Sequence, residues 1–175
     1  YQIYSKFQNL PVHPDKIIVE DSNSGYEFFN TIGQENNILC ESAGGKSNIF
    51  SKLQSIGQET VCVIADGAAI GPEMNRLYEI TERKSNIVLY FPESFEWLIL
   101  KSGLVTDGDI KTILQEPEAY IESKDYFSWE RYFTKLLIER TQDTYLQYQK
   151  TKLNPVYLHD KIKHTIISVM QGIIL

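Results

Sequence analysis

The sequence predicts an α/β protein: an open, mostly parallel four-stranded sheet flanked by helices, with a C-terminal all-helical extension. Four short apolar runs, "KIIVE", "NNILC", "TVCVIA" and "NIVLYF", each break into turn residues and then into a stretch with apolar positions at helical spacing. Such alternation favours parallel strands, because a parallel neighbour is reached only through a crossover of a dozen or more residues, usually a helix. After Gly103 the alternation stops and only helical patterns follow. The expected division is 1–103 for the sheet domain and 104–175 for the helical extension packed on it.

Taken in order, Lys16 to Glu20 form the first strand, "DSNSG" the turn and "YEFFNTI" the helix. The unit recurs as "NNILC" then "SNIFSKLQSI", as "TVCVIA" then "PEMNRLYEITER", and as "NIVLYF" then "ESFEWLILKS". In the extension, "DGDIKTILQE" predicts a capped short helix and "PEAYIESKDYF" a connector. "SWERYFTKLLIERTQDTYLQYQKTK" predicts one long helix or two broken near Thr141. Asn154-Pro155 stops it, since proline lacks the N–H that a helix interior requires, and "VYLHDKIKHTIISVMQGIIL" begins a final amphipathic helix. Tyr126, Phe127, Trp129, Tyr132 and Phe133 are expected to dock on the sheet domain or on another subunit.

A chain of 175 residues that is 42% hydrophobic can bury one proper core. Cys40 and Cys62 both fall in strand-like apolar runs, so they read as small core residues of a reducing compartment. Three scattered histidines and the lack of a Cys-x-x-Cys spacing argue against a zinc site. No apolar stretch approaches the roughly 20 residues that span a bilayer, and no leader pattern is present, so the expected location is cytoplasmic, without a membrane partner. The start at Tyr1 in place of methionine predicts that a tag or an N-terminal segment has been lost. The net charge of −6 is uneven: residues 1–100 carry 7 Lys and Arg against 13 Asp and Glu, and the remainder 10 against 10. That balance does not support a generic basic groove, but it is compatible with a carboxylate cluster that holds a divalent cation.

In an open parallel sheet, ligands collect at the carboxyl ends of the strands, where loops converge. The acids at those ends are Glu20 after the first strand, Asp66 after the third, and Glu93 with Glu96 after the fourth. Each has a bland alternative as a turn or first-turn residue, but three strand ends each presenting an acid point to a shared site. After the second strand stand Gly44, Gly45, Lys46 and Ser47, a turn that could bind an anion or, more simply, start a helix with Ser47 as its N-cap. Cys40 occupies the place where a phosphate-cradling loop needs its first glycine, which counts against an ATP or GTP site. Lys150, Lys152, Lys161 and Lys163 interleave with Tyr145, Tyr148 and Tyr157, a pattern that either contacts a nucleic-acid backbone or is an ordinary helix stripe with a solvated lysine face. The stripe is the preferred reading.

"IIVEDSNSGYEFF", "AGGKSNIF", "VCVIADGAA" and "YFPESFEWLIL" together resemble the Toprim domain of type IA topoisomerases, bacterial primases and OLD-type nucleases, over roughly residues 16 to 101. The resemblance implies nucleic acid as partner and Mg²⁺ or Mn²⁺ as cofactor. Glu20 matches the family's proton-handling glutamate and Asp66 the first aspartate of its Asp-x-Asp motif; Glu96 is the third expected metal ligand. Lys46 is expected to pair with a phosphate beside Gly44, Gly45 and Ser47. Ala68 stands where the family has its second aspartate. The alternative reading is therefore an inactive Toprim-like module that binds protein or nucleic acid, or assembles with a second copy through the C-terminal helices.

Overall fold

The computed structural model describes residues 12–106, 108–121 and 128–175. Four strands of four residues, β1 (Lys16–Val19), β2 (Leu39–Ser42), β3 (Val61–Ile64) and β4 (Ile87–Tyr90), form one all-parallel sheet in the order β2-β1-β3-β4. Val19 lies opposite Ser42 on one side and Ile64 on the other, and Ile64 lies opposite Tyr90, so the strands end in step. All four residues of β3 are buried, as an uninterrupted apolar run requires when helices cover both faces of a sheet.

One face, carrying Ile17, Val19, Cys62 and Ile64, packs against Phe28, Phe29 and Ile32 of α1 (Ser24–Glu35). The other face, carrying Ile18, Val61 and Val63, receives Ile49 and Leu53 of α2 (Lys46–Gln54). Ile70 of the short α3 (Gly67–Ile70) and Leu77 and Ile80 of α4 (Met74–Arg83) complete that layer. The chain returns to the first face with α5 (Phe95–Lys101), whose start is capped by the Ser94 hydroxyl accepting from the Trp97 N–H at 3.1 Å. Phe95 stacks at an angle on Phe28, with ring centres 5.1 Å apart.

The extension adds α6 (Ile110–Gln115), α7 (Trp129–Thr141) and α8 (Asp160–Ile167). Ile110, Phe133, Leu137, Tyr157 and Ile166 bury into the same apolar layer as α1 and α5. Trp129, Tyr132 and Phe133 dock on that layer, while Tyr126 and Phe127 lie outside the described residues.

Three elements differ from expectation. β2 begins at Leu39 and not at Asn36, because α1 runs on to Glu35 and closes there: the Asn36 side chain donates to the Ile32 carbonyl at 2.9 Å, and Asn37 takes a left-handed turn with φ 57°. The long helical pattern after Ser128 ends at Thr141 and no second helix follows. The Thr141 hydroxyl donates to the Leu137 carbonyl at 2.7 Å and accepts from the Tyr148 N–H at 3.0 Å, which folds the chain back. Tyr145 and Tyr148 are consequently not neighbours on a helix face: Tyr145 is 71% exposed and Tyr148 2%. The chain ends beside Val12, which forms a parallel bridge with Ile173. Among the described residues, no helix is long and apolar enough to cross a membrane.

Candidate functional site

With β1 flanked by β2 and β3, the connections leave β1 toward opposite edges of the sheet, and the crevice at a topological switch point lies where they diverge. Glu20 follows β1 and Asp66 follows β3, so the two acids sit at neighbouring strand ends there. The backbone ties them together. The Glu20 N–H donates to the Ile64 carbonyl at 2.9 Å, and Glu20 Oε2 accepts from the Asp66 N–H at 3.1 Å. A cavity of about 20 Å³, room for about one water, is lined by Glu20, Asp21, Asp66, Gly25, Pro92 and Phe95 among others.

Three further acids face the same place. Asp21 Oδ1 accepts from the Tyr26 N–H at 2.9 Å, which pins it at the start of α1. Glu96 is only 3% exposed, although its position in the first turn of α5 would suit a solvent-facing acid. It accepts from the buried Tyr148 hydroxyl at 2.9 Å through Oε1. Glu130, in the first turn of α7, completes the group. Burial first, then the neighbouring carboxylates of Glu96, Glu130, Glu20 and Asp21, push the Asp66 carboxyl well above its ordinary range. Burial likewise raises Glu20, against the Asp66 N–H bond and the Lys46 charge, with Glu130 and Asp21 adding to the rise. Burial raises Asp21 too, its two backbone hydrogen bonds opposing. Glu93 is also raised by burial but does not line the cavity.

The glycine turn lies on the β2 side. Gly44 and Gly45 take φ values of 69° and 122°, conformations that glycine adopts readily. The Gly45 N–H donates to the Glu20 carbonyl at 2.8 Å, and the Gly44 N–H to the Ser42 hydroxyl at 3.0 Å, so both serve the turn itself. Gly45, and not Ser47, is the N-cap of α2, and Ser47 is exposed. Lys46 donates through Nζ to the Ala69 carbonyl at 2.9 Å and is close enough to Glu20 to lower its pKa. The structure thus brings together Glu20, Asp66, Glu96 and Lys46 and leaves Ser47 at the rim.

The extension supplies what the strand ends lack. The Ser24 hydroxyl donates to the carbonyls of Gln149 and Lys150 at 2.8 and 2.9 Å, holding residues 148–153 as a strap across the start of α1. From this strap Lys150 forms an ion pair with Glu130, and Tyr148 reaches Glu96. Sequence reasoning preferred Tyr148 and Lys150 in an ordinary helix stripe with a solvated lysine face, and it did not link Glu130 to the strand ends. No short-range spacing connects residues that lie 20 and 52 positions apart. The stripe itself is dispersed: Lys163 is 4% exposed and paired with Glu35 and Asp160, and Tyr157 is fully buried, its hydroxyl donating to the Leu146 carbonyl at 2.6 Å. Cys40 and Cys62 are free and buried, and burial pushes both thiols up to about 12, so neither offers a thiolate near neutral pH.

The donor chemistry of Glu20, Asp21, Asp66 and Glu96 suits a hard divalent cation, since all are carboxylate oxygens in an enclosed place. Among the described residues, however, no group of three or more His, Cys, Asp or Glu side chains is placed to hold a metal ion jointly. The contact between Glu20 and Asp66 runs from the Glu20 carboxylate to the Asp66 backbone N–H and does not itself pair two carboxylates. Comparison with protein-family models, curated proteins and solved structures found no match to the chain.

Proposed function

We propose that this chain is a Toprim-like protein that engages nucleic acid at the strand ends and cleaves a phosphodiester there with Mg²⁺ or Mn²⁺, in a cytoplasmic mobile-element or defence setting. The observation that carries the reading is the contact of Glu20 with Asp66 across the sheet's switch point, ringed by Asp21, Glu96 and Glu130. The resemblance of "IIVEDSNSG" and "VCVIADG" supplies the chemistry. A bound divalent cation supplies Lewis-acid neutralisation of phosphate charge. Glu20 takes a proton from the attacking oxygen or returns one to the leaving oxygen, a task that a raised carboxyl pKa suits. Asp66 and Glu96 hold negative charge at the cation position, and Lys46 faces a phosphate oxygen as a point charge.

The test is nicking of supercoiled plasmid with Mg²⁺ or Mn²⁺. Glu20→Gln and Asp66→Asn are each expected to abolish nicking while the chain stays folded. Nicking unchanged in both variants removes the proposal. A second reading, a non-catalytic module, is favoured by the lack of three jointly placed carboxylates among the described residues and by Ala68 in α3. In it the C-terminal helices carry a protein partner or a second copy, with Ile138 of α7 40% exposed. Calorimetry separates the two, because absence of heat at millimolar Mn²⁺ favours the module.

A further inference from the structure

We propose that the outer edge of β4 pairs with the same edge of a second copy of this chain, antiparallel about a two-fold axis at Leu89, so that two four-stranded sheets join into one. The pairing needs no cation at the strand ends.

β4 is the last strand in the order β2-β1-β3-β4, and among the described residues no strand lies beyond it. Its hydrogen bonds show which groups face outward. The N–H groups of Val61, Ala65 and Gly67 donate to the carbonyls of Asn86, Tyr90 and Pro92 at 2.9, 3.3 and 2.6 Å. In a parallel ladder alternate residues serve one neighbour, so the even-numbered positions of β4 bond to β3, and the N–H and C=O of Leu89 point to the open side. The Ile87 N–H already donates to the Lys84 carbonyl at 3.3 Å. An axis at Leu89 matches the groups that remain. Leu89 exchanges both of its bonds with Leu89 of the partner subunit, and the Phe91 N–H meets the carbonyl of Ile87 of the partner subunit.

The two edges of the sheet differ in charge. β2 is guarded: Glu41 pairs with Lys16 at 2.9 Å and with Lys52 at 3.3 Å, and charged side chains along an edge oppose pairing with another chain. Along β4, from Asn86 to Pro92, no residue is charged. Charges of opposite sign stand just outside that run. Lys84 is committed to the carbonyls of Leu53, Gln54 and Ile56 that end α2. Arg83 is exposed at the end of α4, and Glu93 is half-buried after β4; neither pairs with another side chain among the described residues. Burial pushes the Glu93 carboxyl above its ordinary range, and a guanidinium brought to it opposes that rise. Antiparallel pairing carries Arg83 of each copy toward Glu93 of the other. A second copy is therefore the occupant, because it presents a guanidinium where the first copy has a carboxylate and a carboxylate where the first has a guanidinium.

The experiment is sedimentation equilibrium of the full chain at concentrations up to about 1 mM, paired with hydrogen exchange at the Leu89 and Phe91 amides. The wild type is expected to dimerise, with both amides exchanging more slowly as concentration rises. Val88 is partly buried but belongs to neither apolar layer, so Val88→Lys is expected to keep the sheet and abolish the dimer. Arg83→Glu and Glu93→Arg are each expected to weaken it about tenfold, since like charges then meet at both symmetric contacts, and the two together are expected to restore it. A wild type of single-chain mass at every concentration overturns the proposal, and Leu89 protection in that monomer assigns the edge to another occupant. A dimer unchanged in Val88→Lys overturns it too, as does a double charge exchange no tighter than either single one.

Discussion

Tyr148→Phe isolates one hydrogen bond in the most desolvated part of the site. The ring is 2% exposed and meets Tyr157 edge-on at 6.1 Å between centres, so phenylalanine preserves the packing and leaves no side-chain cavity. The Tyr148 N–H bond to Thr141 also survives, because it belongs to the backbone. What disappears is the hydroxyl that Glu96 Oε1 accepts at 2.9 Å, at a residue 3% exposed, where no bulk water can replace it. Leaving a buried acceptor without its partner costs about 1–3 kcal/mol, so a loss of about 2 kcal/mol is expected. For a chain of this length that corresponds to roughly 4–8 °C in Tm. Urea unfolding followed by circular dichroism measures it, with an unchanged slope showing that the denatured state is unaffected. Glu96→Gln in the same background gives the coupling, expected at roughly 1 kcal/mol because the pair is in direct contact. A Tyr148→Phe loss below about 0.5 kcal/mol would mean that the strap does not shield Glu96, and the link between extension and site would fall.

The strand-end acids predict how stability depends on pH. Glu20, Asp21 and Asp66 have folded-state pKa values above their ordinary ones, so the folded chain holds protons that the unfolded chain releases. Stability therefore falls as pH rises from the ordinary carboxylate range through the raised values, against a small opposite contribution from Glu41, which Lys16 and Lys52 hold low. Asp66→Asn is expected to flatten this decline and to unfold at higher urea than the wild type at pH 7.5; a lower midpoint there refutes the assignment. Gly33→Ala probes the closure of α1, since an added Cβ would stand 2.6 Å from the Ile38 carbonyl oxygen and 3.3 Å from Cys40 Cβ. A loss of about 2 kcal/mol or more is expected, and a neutral result would show that the α1–β2 turn is not this tight.

The four strands and their order along the chain were legible because "KIIVE", "TVCVIA" and "NIVLYF" are apolar runs bounded by turn residues, and alternation with helices leaves parallel pairing as the natural outcome. Glu20 and Asp66 were legible for the same reason: an acid that directly follows such a run stands at a strand end wherever the strand lies in the sheet. β2 was misplaced because Asn36 and Asn37 read equally as strand and as helix closure, and the Ile32 and Gly33 carbonyls that decide it belong to the preceding helix. The break at Thr141 was legible only as one of two alternatives, because threonine is tolerated in helices, and only the bond from Tyr148 turns it into a corner.

The sequence by itself determined the alternating sheet and helix order and the acids that follow β1, β3 and β4, because local periodicity and turn chemistry act over a few residues. The tertiary structure alone decided that Glu96 is buried, that Glu130 and Lys150 share its neighbourhood, and that Tyr148 is a hydrogen-bond donor instead of a stacking surface. Those outcomes depend on which helix is laid over which strand end. Burial and charge pairing between residues tens of positions apart are set by that packing, and no spacing along the chain encodes it.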